Sequence, residues 1–310
     1  MQTLGISVII PSYNQGPYLR KAIESALTQT YRPIEVLVID GGSADESLDI
    51  LRSYDGNPSV RWMSEKDRGP ADAVNKGLRM ARQAIGAITS ADDFYLPGAF
   101  EECMAVFERD PGASLVYGEY RKGAGEGDEI PVRTGAYSLN DLLCGMAAVP
   151  QGSAFFRMDV ARRLGGWDEG IPFVPDTDLW FRMALTGRVI KVDRYWSGSY
   201  VHPGQRTNQR ENVLRDYSLM IGQMRELRAA GVAQRRAARA GLSLARIRYG
   251  RLTGWALTVN AWRAFCLYPR CGGSPLLPIH RLVPGYFTIA GWVGAVKRRF
   301  GLRTSTGNHR

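Results

Sequence analysis

A chain of 310 residues with 45% hydrophobic side chains is long enough for one α/β domain of roughly 200–250 residues and a smaller appendage. Its four cysteines, Cys103, Cys144, Cys266 and Cys271, lack paired C-x-x-C spacing, which argues against a zinc site or a disulfide framework and predicts free thiols in a reducing compartment. The net charge of +10 is concentrated at one end: residues 226–310 hold 15 of the 40 Lys and Arg but one acid, Glu226, out of 30.

Taken in chain order, Ser7-Val8-Ile9-Ile10 is a short β-branched run that stops at Pro11-Ser12-Tyr13-Asn14-Gln15-Gly16-Pro17, where Pro, Asn and Gly demand a loop. Leu19, Ile23, Ala26 and Leu27 then follow helical spacing, and Glu35-Val36-Leu37-Val38-Ile39 reads as a second buried strand ending in Asp40. This is a βαβ unit whose strands both deliver polar residues at their C-terminal ends, the edge where open α/β sheets bind ligands. Neither G-x-G-x-x-G nor G-x-x-x-x-G-K-[ST] is present, so ordinary dinucleotide and P-loop binding is not expected.

A polar turn, Glu65 to Pro70, precedes a helix carrying Ala73, Val74 and Leu78. Ala84 to Thr89 reads as another buried strand, followed by Ser90-Ala91-Asp92-Asp93. Adjacent carboxylates at a strand end repel one another unless a cation or donors are near, and oxygen ligands of this kind suit Mg²⁺ or Mn²⁺ shared with phosphates. An ordinary acidic turn is the plainer reading.

Ser7–Asn14, Val38–Asp45, Lys66–Gly69, Asp92–Tyr95, Gly165–Glu169 and Asp176–Trp180 together, in this order, resemble family 2 glycosyltransferases over roughly residues 5–205. The resemblance implies a GT-A fold, a mixed sheet flanked by helices. It also implies a nucleotide-sugar donor, a divalent metal (Mn²⁺ or Mg²⁺) and inversion at the anomeric carbon. On the same footing, Pro11 and Tyr13 would pack on the nucleobase, Asp40 would hydrogen-bond it in a way that favours uracil, and Arg68 would lie near diphosphate or ribose. Asp92 would lean to ribose or sugar and Asp93 to the metal. His202, in a Pro/Gly loop, would sit beside diphosphate and metal. Gln151-Gly152 would line the sugar and acceptor site. Each has a plainer alternative: turn packing for Tyr13, a turn acid for Asp40, a solvated charge for Arg68, a surface contact for His202.

An inverting transfer needs a carboxylate to take the acceptor hydroxyl's proton. By resemblance this is the Asp of a Glu-Asp pair, matched here by Pro175-Asp176, so Asp176 is the expected base and the Glu is missing. Asp178 is the rival; its alternative is a charge on the dipole of the helix opening at Leu179. Ser90-Ala91 stands where many relatives carry Asn-Ser. The acceptor class implied is a saccharide or a lipid-linked intermediate of surface polysaccharide assembly. A non-catalytic nucleotide-sugar binder and a scaffold are the other classes; nucleotidyl transfer lacks its Gly-rich basic loop.

The catalytic domain is expected over residues 1–225 and a basic helical tail over 226–310. Arg235, Arg236 and Arg239 lead into a helical pattern through Leu252, and aromatics follow from Trp255 to Phe265, then Leu276 to Ile279, Tyr286-Phe287, Trp292 and Lys297-Arg298-Arg299. No stretch reaches about 18 uncharged apolar residues, so an interface-lying segment is expected instead of a spanning helix. The chain enters its first strand almost at once, which leaves no room for a signal peptide and predicts a cytoplasmic enzyme, peripheral on the inner membrane face. A helical subdomain packed on the core, or half of a homodimer interface, is the alternative. No nucleic-acid motif accompanies the charge, so no nucleic-acid partner is expected.

Overall fold

The computed structural model describes residues 4–273 apart from 126 and 251. The sequence features from Leu276 to Arg299 lie outside the described residues. The chain begins β1 (Ile6–Ser12), α1 (Gly16–Leu27), β2 (Ile34–Asp40), α2 (Ser47–Arg52), β3 (Val60–Ser64), α3 (Pro70–Met80) and β4 (Ile85–Ile88). It continues β5 (Asp93–Tyr95), α4 (Ala99–Arg109), β6 (Ala113–Gly123), β7 (Ile130–Val132), α5 (Leu139–Cys144), β8 (Ala154–Arg157), α6 (Met158–Arg163) and α7 (Pro175–Thr186). Then come β9 (Arg188–Tyr200), α8 (Arg210–Gln223), α9 (Arg225–Ala229), α10 (Val232–Tyr249) and α11 (Gly254–Leu267).

The strands form one mixed sheet in the order β3-β2-β1-β4-β8-β6-β9-β5, with β7 on the outer half of β6. β1 to β4 are parallel, β8 runs against both β4 and β6, and β5 runs against β9. Alternation along the buried strands divides the core. Val8, Ile10, Val36 and Val38 pack on one face with α1 and α4, while Ile9 and Leu37 pack on the other with α3 and α7. The last strand, β9, is 13 residues long. It runs on from Val192 to Tyr200, pairing with β6 through register shifts after Tyr117 and Glu119. This carries Ser199 and Tyr200 to the same sheet edge as the ends of β1 to β4.

The packing does not stop at residue 225. Ala237, Ala238, Ala240, Leu244 and Ala245 of α10 belong to the same buried cluster as Leu142, Leu143, Trp180 and Tyr217. Small residues make this possible: a Cβ on Gly241 would lie 3.0 Å from the Tyr217 hydroxyl and would collide with the Leu143 carbonyl. α11 then packs on α10 through Asn260, Ala261 and Ala264.

Candidate active site

The ends of β1 to β4, the turn before β8, the first turn of α7 and the loop after β9 enclose a cavity of about 770 Å³. Pro11, Tyr13, Asp92, Asp93, Gln151, Asp176 and His202, all anticipated from the sequence, line it. Tyr13 is 60% exposed, its ring open to a planar ligand. Its neighbour Asn14 takes a positive φ of 51°. The Asn14 N–H donates to Ser43 Oγ and its Oδ1 accepts from the Ala44 N–H, tying the β1 loop to the β2 loop.

Four anticipated residues are placed elsewhere. Asp40 is fully buried and does not reach the cavity wall. Its carboxylate accepts from the Gly42 and Ser43 N–H groups at 3.0 and 2.9 Å and from the Ser43 and Ser64 hydroxyls, so its acceptor capacity is taken up in shaping the turn. The acid that lines this part of the cavity is Asp67, whose carboxylate lies over Gly41, 2.8 Å from where a Cβ would sit. Arg68 points away, bridging Asp72 and Glu169 at 3.1 and 3.0 Å. The cations in the wall are Lys66 and Arg206. Arg206 lies over the Phe173 ring at 4.7 Å and donates to the Pro172 carbonyl.

Gly152 is buried just behind the wall: a Cβ there would meet Ser197 Oγ at 3.2 Å and Asp93 Oδ2 at 3.5 Å. Asp178 is buried and turned from the cavity. It binds Arg182, whose guanidinium also donates to the Leu164 and Gly166 carbonyls at 2.6 and 2.7 Å. Asn75 holds the same loop from the other side, donating to the Trp167 carbonyl and accepting from its N–H. The Gly165–Glu169 motif is thereby clamped between α3 and α7, and Trp167 becomes part of the cavity wall. Sequence reasoning missed Lys66, Asp67, Trp167 and Arg206 as wall residues. For Lys66 and Asp67 the strand-end rule was available, because they follow β3.

The two carboxylates differ in surroundings. Asp92 Oδ2 lies 3.0 Å from His202 Nε2, and the imidazole stacks on Tyr18 with centroids 5.1 Å apart. Tyr18 and Phe94 both pack on Tyr200, so an aromatic stack anchors the start of the loop after β9. Asp93 faces Ser199 across the β5–β9 pairing. Burial, and secondarily the charge of Asp92, pushes its carboxyl up to about 7. Among the described residues no three His, Cys, Asp or Glu side chains form a metal cage. The pair nevertheless fits Mg²⁺ or Mn²⁺ in the mode that uses one or two carboxylates and completes the shell with phosphates and water. A half-buried carboxylate crowded by a second one is what a nearby cation would relieve.

Asp176 occupies the first turn of α7, half-buried, with its carboxyl raised above the usual range chiefly by burial. Pro175, in place of the expected Glu, occupies the first turn of the helix, where a missing N–H costs nothing and a fixed φ is favourable.

The sequence profile of Glycosyl transferase family 2 matches residues 7–182, spanning every wall segment from β1 to α7. The chain belongs to that family. Chondroitin synthase of Escherichia coli is 31% identical over 209 residues, 66% of this chain but 30% of that protein. An uncharacterized glycosyltransferase of Rickettsia typhi is 28% identical over 231 residues, covering 69% of this chain and 70% of its own. The chain thus spans about a third of the length of the chondroitin synthase it matches. Among solved structures, S. aureus TarS in complex with UDP-GlcNAc superposes with a TM-score of 0.66 at 15% identity, over 86% of this chain and 82% of that one. The mannosyltransferase PcManGT of Pyrobaculum calidifontis, with GDP-Man and Mn²⁺, gives 0.60 at 20% identity over 96% and 88%. The fold of this family 2 chain is accordingly the GT-A arrangement.

Proposed function

We propose that this glycosyltransferase moves a sugar from a UDP-sugar to a saccharide or lipid-linked acceptor, with inversion, in surface polysaccharide or glycoconjugate assembly. One observation carries the reading: a single cavity gathers an open aromatic face, an acidic pair and a separate half-buried carboxylate, the three parts such a transfer requires. Tyr13 and Pro11 receive the base, stacking giving affinity with little hydrogen-bond readout. Asp67, beside them, accepts from the base N–H, while Asp40 beneath it fixes the loop. Lys66, Arg206 and His202 face the diphosphate, and Asp92 holds His202 while reaching toward ribose.

Asp93, with Asp92 beside it, would hold Mn²⁺ or Mg²⁺ jointly with the diphosphate. When bound, that cation supplies charge neutralisation on the departing UDP. Asp176 accepts the acceptor hydroxyl's proton as that oxygen attacks C1 from the face opposite the diphosphate. The C1–O bond to UDP breaks with its electron pair leaving on the diphosphate, and no sugar–enzyme bond forms. Gln151, held by its hydrogen bond to Ser90, faces the sugar. The structures of TarS and PcManGT hold different nucleotide sugars, UDP-GlcNAc and GDP-Man, and the choice of UDP here follows TarS, the neighbour with the higher TM-score of the two.

The basic C-terminal region is the part we read as resting on the cytoplasmic membrane face, near lipid-linked acceptors. No described helix is long and apolar enough to cross a membrane.

The test is a UDP-release screen across UDP-hexoses and their N-acetylated forms, run with acceptor mixtures, on the wild type and Asp176→Asn. Transfer should fall by about 10²–10⁴ in the variant, with UDP affinity retained. Near-normal turnover in Asp176→Asn would remove the base assignment. No turnover with any donor by a protein that binds UDP would favour the non-catalytic binder.

A further inference from the structure

Helix α11 is apolar on two opposite sides. Asn260, Ala261 and Ala264 are buried against α10, whereas Trp255 and Trp262 on the far side are 80% and 49% exposed. At about 100° per residue, Trp255, Val259, Trp262 and Cys266 follow an i, i+4, i+7, i+11 spacing and form one stripe centred opposite Ala264. Cys266 is exposed as well. A helix facing water on that side would carry polar residues there. Two large indoles in one row, on a helix that already satisfies its packing with its other face, are not a folding requirement.

The surroundings of the stripe are cationic. Residues 226–273 contain nine arginines, no lysine, and the single acid Glu226. Arg263 is exposed beside Trp262, and the exposed Arg236 donates to the Cys266 carbonyl at the stripe's C-terminal end, while Arg270, just past the helix, leans to Asp141 at 3.8 Å.

We propose that this stripe is a docking surface for a bilayer containing anionic lipid, with α11 lying in the interface plane. The inference rests on the membrane reading of the tail and assigns it to one face of one helix. Trp supplies an apolar ring and a polar N–H, the combination favoured at the headgroup level. The arginines meet the negative lipid surface on either side of the stripe, each contributing an attraction that falls off within a Debye length. A second copy fits less well. Pairing two such faces would bring the exposed Arg263 side chains of both copies together. The area offered by two indoles and a valine is also well short of the about 800 Å² per partner of a stable interface. With no described helix able to span, the surface is one that lies on the membrane.

The test uses the full chain with vesicles of phosphatidylcholine alone and of phosphatidylcholine with phosphatidylglycerol, read by co-sedimentation and by tryptophan emission. The wild type should bind only the anionic vesicles, more weakly as salt rises, with a blue shift of its emission. The Trp255→Ser/Trp262→Ser double variant should lose more than about tenfold in affinity, since two partly inserted indoles carry most of the apolar area. Its thermal melt and UDP binding should stay unchanged. If the double variant binds as tightly as the wild type, the stripe is not the contact, and membrane attachment belongs to other parts of the basic region, residues 274–310 included. If the wild type fails to bind anionic vesicles at low salt, both the stripe and the membrane reading fall. A concentration-dependent dimer dispersed by the same variant would hand the surface to a second copy.

Discussion

Asp176 and Asp178 lie two residues apart in one helical turn, and their surroundings separate them. Asp178 has Arg182 at hydrogen-bond distance, while Asp176 faces the cavity, with burial as the main influence on its carboxyl. A raised carboxyl binds its proton over a range where an ordinary one is already ionised, and the base works only when ionised. Transfer should therefore rise with pH through a limb lying above the usual carboxylate range. In the same window the folded state binds more protons than the unfolded one, so ionising Asp176 lowers stability as pH rises. A pH–rate profile for kcat, compared with the pH dependence of the melting temperature of wild type and Asp176→Asn, checks both signs. A rate that does not fall until the pH is within the ordinary carboxylate range, or that does not fall at all, would contradict the assignment. At this scale the sequence revealed which residue types converge: both carboxylates of Asp92-Asp93, Asp176, Tyr13 and His202 all line the cavity. It did not reveal which way a side chain turns. Asp40 and Arg68 sit in the matching motifs, yet local partners, Ser43 and Ser64 for one, Asp72 and Glu169 for the other, draw them off the wall. Side-chain direction depends on competing partners brought together by the fold, and no spacing rule encodes that.

The elements that deliver the site are held by buried polar joints more than by loops. Arg182 connects α7 to the Gly165–Gly166 turn, and its side chain, like that of Asp178, is almost fully buried. Removing one partner of such a pair strands the other charge, so Arg182→Ala should cost about 3–5 kcal/mol, measured by denaturant unfolding. A loss within about 1 kcal/mol, the range of an exposed pair, would show that the joint is not the anchor described. β1, α1, β2, α3, β4 and α10 were legible in the sequence because their buried runs and 3.6-residue spacings are strong. The second half of β9 was not. Its alternation is broken by bulges against β6, and Ser197-Gly198-Ser199 reads as a turn when tertiary pairing is out of view.

At the scale of the molecule, composition divides the chain at residue 225 while packing does not. The charge step is a surface property, and the buried face of α10, mostly alanines with Gly241, Ser243 and one leucine, carries little signal in a hydrophobicity count. It is contact with α5 and α8 that gives those small residues their role. Truncation after residue 225 would bare Leu142, Leu143 and Tyr217, and residues 1–225 alone should aggregate or lose a cooperative melt. A sharp, reversible transition near the full-length value would instead establish an autonomous catalytic domain.

The central claim is that one cavity binds a nucleotide diphosphate through Asp93 and a divalent cation, and calorimetric titration tests it most directly. UDP should bind the full chain in Mn²⁺, more tightly than GDP, CDP or dTDP, and lose most of that affinity in chelator or in Asp93→Ala. UDP binding that is equal with Mn²⁺ and with chelator, or no binding of any nucleotide to the folded chain, would contradict it.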